Sequence, residues 1–432
     1  MHDDQRVHQS NPKAKGCQAA DGTKTSGTAA LPGAKRSGAD PSAFRSQEQE
    51  SRVIKSGVRI ALVHDWLNGM RGGEAVFEAL LDLFPNADVF TLVYEPKLLS
   101  PRLREKLSQV KVHTSVLNRF AFTRKRYRQL LPILPFLIRQ FDVYPYDLVV
   151  SSSHCVAKGV RKHPEAFHLS YIHAPMRYMW DRFNDYFGPG RMGLVPTLIA
   201  KRLRPFFQAW DKATAQGDRI DVLIANSKFI AAKIKQFYER DAVVVYPFAK
   251  LERFNRPRST GGFYLMVGAF APYKRTDLAI EAFARLGLPL KIVGEGQDQA
   301  KLWHLKVSLN ARNIEFLGNP SNEAIEALYA ECKAFIFPGK EDFGITPVEA
   351  MAAGAPVIAF GEGGASETVI PETGILFKAQ SVDALCEAIM EIESGRAKFD
   401  ESRIRSRAQL FTQQKFKSDF LSYIPDRFFA EK

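Results

Sequence analysis

The chain has 432 residues, 45% hydrophobic and 25% charged, a composition that fits a globular protein of two or three domains and excludes a wholly disordered one. Its formal charge of +13 is unevenly spread. Residues 101–250 hold 26 Lys and Arg against 11 Asp and Glu, a net of +15, whereas residues 301–400 hold 8 against 15, a net of −7. That asymmetry argues against a nucleic-acid surface and for a basic half facing an anionic membrane or a phosphate-bearing acceptor.

Residues 1–56 are rich in small and polar side chains and are expected to form a disordered extension; they lack the apolar core of a secretion signal. Cys17, Cys155, Cys332 and Cys386 have neither paired nor metal-type spacing, which fits reduced thiols. No run reaches the roughly 18 apolar residues of a membrane span. The expectation is a cytoplasmic protein, docked peripherally on the inner face of the plasma membrane.

Apolar runs at 58–63, 148–151, 169–173, 222–225 and 243–246 alternate with helix-length segments, and so do runs at 263–267, 290–293, 314–317, 335–337 and 357–360. Such alternation predicts an α/β protein with two Rossmann-like parallel sheets joined by crossover helices. Residues 250–262, charged and broken by Pro257 and a Gly pair, read as the linker between domains 57–255 and 256–411. A cleft is expected where the carboxyl ends of the two sets of strands face each other. The tail 411–429 is amphipathic.

Several motifs fall on that cleft. His64-Asp-Trp-Leu-Asn-Gly69-Met-Arg71-Gly72-Gly73-Glu74 follows the first strand; its glycines allow close approach of a ligand or form a mere tight turn, and it is not the dinucleotide fingerprint. The stretch from Arg124 to Arg139 joins a basic cluster to an apolar run, as a membrane-interface segment or an ordinary core-covering helix would. His173, in Tyr171-Ile-His-Ala-Pro-Met-Arg177, ends a strand at the cleft edge; a buried structural histidine is the alternative. Lys274, in Gly268-Ala269-Phe-Ala-Pro-Tyr273-Lys-Arg275, can neutralise charge on a leaving diphosphate or lie solvated in its loop. Gly294-Glu-Gly296 alone carries little.

The segment from Glu341 to Gly361 is the most informative. A strand breaks at Pro338-Gly339, two acids follow, and a helix starts with Thr346 as expected N-cap and Pro347 as first residue, ending near Gly354. Backbone N–H groups around Phe343, Gly344, Ile345 and Thr346 then point outward at a positive dipole end that suits a phosphate, with Glu341 and Glu349 beside it for sugar hydroxyls; an ordinary strand–loop–helix with solvated acids is the alternative.

This string resembles the donor motif of retaining GT-B glycosyltransferases of family 4, and the His173 segment resembles their mannosyltransferase-like members. The likeness spans roughly residues 58–420. It implies an N-terminal acceptor domain completed by a C-terminal helix at 412–432, and a nucleotide-sugar domain at 256–411. It implies Glu341 on the transferred sugar, residues 343–346 on the diphosphate and Glu349 on the ribose. It also implies the carbonyl of His173 at the anomeric centre, the Gly72-Gly73 loop reaching toward diphosphate and acceptor, and Lys274 on the leaving group. Arg177 and Asp181 are acceptor contacts or domain glue. GDP-mannose is the expected donor, and a lipid-linked or surface-glycan intermediate the acceptor. The family usually has arginine where this chain has Ala269; Arg275 or Arg71 could substitute, with Lys274 carrying a larger share. No Asp-x-Asp or His-rich spacing indicates a metal, and no other cofactor is expected. A non-catalytic nucleotide-sugar or membrane-binding protein stays open, as does, more remotely, a dinucleotide oxidoreductase.

Overall fold

The computed structural model describes residues 52–188 and 193–431. Most of the predicted extension, 1–51, lies outside the described residues. Its last part is not disordered: Ile54 pairs antiparallel with Phe429, and Lys55 N–H donates to the Phe428 carbonyl at 2.9 Å. Ile54 supplies an apolar side chain to the first core, which holds this short segment in place.

The first lobe is a seven-stranded sheet. Its strands are β1 (Ile60–His64), β2 (Asp88–Thr91), β3 (Val112–Thr114), β4 (Leu148–Ser153), β5 (Phe167–Ile172), β6 (Val222–Ala225) and β7 (Val243–Val244), in the order β3-β2-β1-β4-β5-β6-β7 and all parallel. β1 is buried along its whole length because helices cover both faces. Ile60 and Leu62 join one core with Val76, Phe77 and Leu80 of helix α1 (Gly72–Leu83), while Ala61 and Val63 join another with Leu131, Leu134 and Phe207. Phe207 belongs to the long helix α2 (Leu194–Thr214), and helix α3 (Lys228–Tyr238) follows β6.

The second lobe is a six-stranded parallel sheet. It contains β8 (Tyr264–Val267), β9 (Leu290–Val293), β10 (Ile314–Gly318), β11 (Phe335–Phe337), β12 (Val357–Phe360) and β13 (Gly374–Phe377), in the order β10-β9-β8-β11-β12-β13. Helix α4 (Thr276–Leu286) follows β8 and helix α5 (Ile345–Ala352) follows β11. Each sheet changes direction of strand order at one place, between β1 and β4 and between β8 and β11, and the loops leaving those strands form the crevice.

After α6 (Glu401–Ala408), whose Ile404 and Ala408 pack in the second core, the chain crosses back. Phe416, Phe420 and Leu421 of α7 (Gln413–Leu421) lie in the same core as β1 and α1. Among the described residues no helix is long and apolar enough to cross a membrane.

Candidate functional site

The loop after β11 supplies one wall. Gly344, at φ 88°, turns the chain into α5, which starts at Ile345. The expected cap is thereby corrected: Gly344, not Thr346, occupies the N-cap, and Pro347 is the third helical residue. The left-handed turn at Gly344 starts the helix early, and a side chain there would crowd the Phe337 ring at 3.1 Å. Thr346 is left with its Oγ1 buried and without a hydrogen-bond partner. The first-turn N–H groups have no intrahelical acceptor by construction. Phe343 is an anchor rather than a rim residue: it is buried, 5.7 Å from the Phe411 ring and 5.9 Å from that of Tyr246. Any side chain on Gly364 would overlap its backbone, so the loop sits tightly on the 363–364 turn. Glu349 stands a full turn into the helix, where its Oε2 accepts from the Tyr329 hydroxyl at 3.1 Å. Burial pushes its carboxyl pKa up.

Lys274 and Glu341 form an ion pair, both side chains mostly buried. The structure thus joins two residues that the sequence placed far apart. Arg275 does not share that site: its Nε donates to Asp277 Oδ1 at 3.1 Å, because Arg275 takes a left-handed turn (φ 53°) into α4 and faces the acid in its own first turn. Ala269 is exposed. Arg71, the other candidate substitute, is exposed at the start of α1.

The first lobe supplies the facing wall. A methyl group built on Gly72 would lie 3.2 Å from Ile345 Cδ1, so the N-termini of α1 and α5 oppose each other across the crevice. A methyl group on Gly73 would lie 3.7 Å from His173 Nε2 and 3.8 Å from His64 Cε1. His173 follows β5; its carbonyl accepts from Asn226 Nδ2 at 3.0 Å and its Nε2 lies 2.8 Å from Ser152 Oγ. His64 Nδ1 lies 3.1 Å from both the Ser152 carbonyl and Ser152 Oγ.

A carbonyl only accepts, so His64 Nδ1 carries its proton and Ser152 Oγ accepts from it. The Ser152 hydroxyl then donates to His173 Nε2, which places the His173 proton on Nδ1. Both imidazoles stay neutral: burial, with His154 nearby, holds His64 down to about 4 and His173 well below its ordinary value. Asp65 receives backbone N–H donors from residues 154–157 at 2.6 to 3.0 Å, which ties the β1 and β4 loops together.

Asp342, singled out only as a loop acid by sequence, holds the lobes together. Its Oδ2 lies 2.5 Å from Arg177 Nη2, its Oδ1 3.7 Å from Lys233 Nζ, and its carbonyl accepts from Ser227 Oγ at 2.6 Å. Arg177 is therefore domain glue, while Asp181 pairs with Lys233 within the first lobe at 2.6 Å. Glu367 caps α3 from the other lobe, accepting from Lys228 and Phe229 N–H at 2.8 Å each. A buried hub at Asp211 was also missed: it accepts from Lys158, from Trp180 Nε1 at 2.7 Å and from the Tyr238 hydroxyl at 2.9 Å, fixing the loop after His173. Only its position in the last turn of α2, where an acid is disfavoured by the helix dipole, marks Asp211, and that is a weak signal.

His64 Nε2, Asn68 Oδ1, Thr276 Oγ1 and Thr346 Oγ1 are buried without hydrogen-bond partners, and all lie at strand ends, loops or first helical turns on the crevice side of β1, β8 and β11. Buried polar atoms are ordinarily satisfied. Glu78 Oε1 and Arg139 Nε are buried without a hydrogen bond elsewhere in the first lobe, but these four on one edge, with two positive helix ends of about half a charge each, suit an anionic, hydroxyl-rich ligand. Among the described residues no cluster of three or more His, Cys, Asp or Glu is placed to hold a metal ion.

Residues 248–409 match the family described as glycosyl transferases group 1. An uncharacterised glycosyltransferase of Methanocaldococcus jannaschii is 32% identical over 182 residues, 42% of this chain and 51% of that protein. A GDP-mannose-dependent monoacylated alpha-(1-6)-phosphatidylinositol monomannoside mannosyltransferase of Corynebacterium glutamicum is 34% identical over 134 residues, 28% of this chain and 35% of that one. The matched region thus spans about half or less of these relatives. Among solved structures, a lipopolysaccharide outer core galactosyltransferase in its apo form superposes with a TM-score of 0.60 at 18% identity, covering 84% of this chain and 98% of the other. The fold is GT-B: two Rossmann-like domains across a cleft.

Proposed function

We propose that this chain is a retaining, metal-independent glycosyltransferase that moves a sugar from a nucleotide donor, GDP-mannose in the favoured reading, onto a lipid-linked or glycan acceptor. The observation that carries the reading is the opposition of the α1 and α5 N-termini, with the Lys274–Glu341 pair joining the loops that lead into α4 and α5. Two positive dipole ends and a lysine suit a diphosphate whose charge grows as it leaves. Mannosyltransferases among the similar proteins support the sugar, with two named as GDP-mannose-dependent.

In this reading the diphosphate lies on the Gly344–Thr346 amides, with the Thr346 hydroxyl and Lys274 beside it. Glu341 holds the transferred sugar and Glu349 the ribose. The acceptor oxygen attacks the anomeric carbon on the face from which the diphosphate departs. The bond to the phosphate oxygen breaks with its electron pair, and that oxygen takes the acceptor's proton. The neutral His173 beside Gly73 donates from Nδ1 to a sugar hydroxyl. The protein works in the cytoplasm, docked on the inner face of the membrane through its basic half, without a nucleic-acid partner.

Exposed Ala269, where the family usually has arginine, favours one second reading: a nucleotide-sugar-binding protein without turnover. Calorimetry with GDP, UDP and their sugars, followed by product analysis on lipid-linked acceptors with and without EDTA, tests both. Binding of GDP-mannose with EDTA-resistant transfer and retained anomeric configuration is the expected result. Binding without transfer across an acceptor panel supports the second reading, and no binding of any nucleotide sugar overturns both.

A further inference from the structure

Ten of the twenty large apolar side chains that stand exposed among the described residues fall in two short segments of the first lobe. Val116, Phe120, Phe122, Ile133 and Phe136 lie in the first; Leu194, Val195, Leu198, Ile199 and Phe206 lie along α2. On α2, Val195, Leu198, Ile199, Arg202 and Phe206 recur at helical spacing and form one outward stripe, with Leu194 and Leu198 71% and 63% exposed.

The two segments belong to one face. Leu203 and Phe207 of α2 pack into the same core as Leu117, Leu131, Leu134 and Leu137 of the other segment, on the Ala61–Val63 side of the sheet. Their charge is of one sign: residues 116–140 contain six Lys and Arg and residues 194–210 contain three, and neither contains an acid. Arg119, Arg126, Lys201 and Arg202 are exposed, and the Arg126 guanidinium lies 4.8 Å over the exposed Phe122 ring.

We infer that the first half of α2 is an interfacial anchor that lies in the headgroup layer of an anionic bilayer, with the 116–136 segment beside it. Apolar side chains enter the acyl boundary while the neighbouring cations meet lipid phosphates, the pattern of a helix that lies on a membrane and does not span it. A second copy of the chain is a poor occupant, because it would bring the exposed cations Arg119, Arg126, Lys201 and Arg202 against their own copies with no acid in either segment to pair them. This rests on the membrane-docking reading above and deepens it, since sequence pointed to the stretch from Arg124 to Arg139 within the basic half and left α2 unassigned.

Flotation with vesicles of phosphatidylcholine alone and of phosphatidylcholine with 30% phosphatidylglycerol, at low and high salt, tests the anchor. Wild type is expected to bind the anionic vesicles at low salt and to be released by salt. Leu198→Glu with Ile199→Glu should lower partitioning at least about tenfold on both faces of the salt series. Lys201→Ala with Arg202→Ala should lower it roughly fivefold per cation for anionic vesicles only. Trp303→Glu, an exposed aromatic of the second lobe, should change nothing. Nucleotide affinity by calorimetry should be unchanged in every variant, which shows that the fold and the crevice are intact. Equal binding of wild type and the Leu198/Ile199 variant overturns the α2 anchor while leaving membrane docking standing. No binding by wild type overturns both, and a dimer that dissociates in the Leu198/Ile199 variant without lipid assigns the face to self-association and overturns the proposal.

Discussion

At the scale of single residues, three side chains invite direct tests. In the proposed reading Lys274→Ala removes the cation beside the leaving diphosphate, and a hydrogen bond to a charged group contributes about 1.5–3 kcal/mol. Turnover should fall about ten- to a hundredfold while the melting temperature stays within a few degrees; near-wild-type turnover would place the diphosphate elsewhere. Glu349→Ala should weaken GDP and GDP-mannose alike by about tenfold or more, with Glu341→Ala sparing free GDP. Unchanged GDP affinity in Glu349→Ala would remove it from the ribose.

The third side chain is His64, whose pKa is held at about 4 against an ordinary 6.5. Below pH 6.5 the unfolded chain binds a proton there that the folded chain refuses. Stability is therefore level above 6.5 and falls as the pH drops toward 4, by about 3 kcal/mol for this group. Melting curves of His64→Asn between pH 7 and 4.5 should be less steep than those of wild type, and an equal slope would show that another group dominates.

At the scale of elements, the start of α5 decides how the amides are aimed. Gly344 holds φ 88°, a conformation that costs a β-branched residue about 1–3 kcal/mol. Gly344→Val should lower the melting temperature by several degrees and reduce nucleotide affinity further than that loss of stability explains. Retained affinity would mean that the first turn of α5 does not hold the phosphates. Most strands of both sheets were legible as apolar runs because parallel strands are buried on both faces. β2, β3 and β13 were not, since four residues or fewer with polar or small members leave little pattern. The helix cap was misread for a different reason: Thr-Pro is a good local start, but the left-handed turn at Gly344, seated on the 363–364 turn, begins the helix two residues earlier.

At the scale of the whole molecule, the two lobes are joined by Asp342, Glu367 and the returning helix α7. Asp342→Asn weakens the ion pairs with Arg177 and Lys233. The variant should show a larger radius of gyration by solution scattering without ligand and contract again when the nucleotide sugar is added. A radius equal to wild type in both conditions would show that the latch is redundant with the Glu367 cap.

Read alone, the chain determined the order of its elements, the two-lobed α/β plan and the residues worth watching: His173, Lys274, Glu341, Glu349 and the glycines at 72–73. The order and the plan follow from local chemistry, because apolar period, turn residues and cap positions act over a few neighbours; the site residues stood out through the resemblance of their motifs to a known family. Tertiary structure alone decided the rest. That Lys274 meets Glu341 and that Ser152 orders the protons of His64 and His173 both depend on which strand ends the sheets bring together. The exposed stripe on α2 was hidden likewise, since periodicity shows that a helix has an apolar face and only packing shows which face is left uncovered.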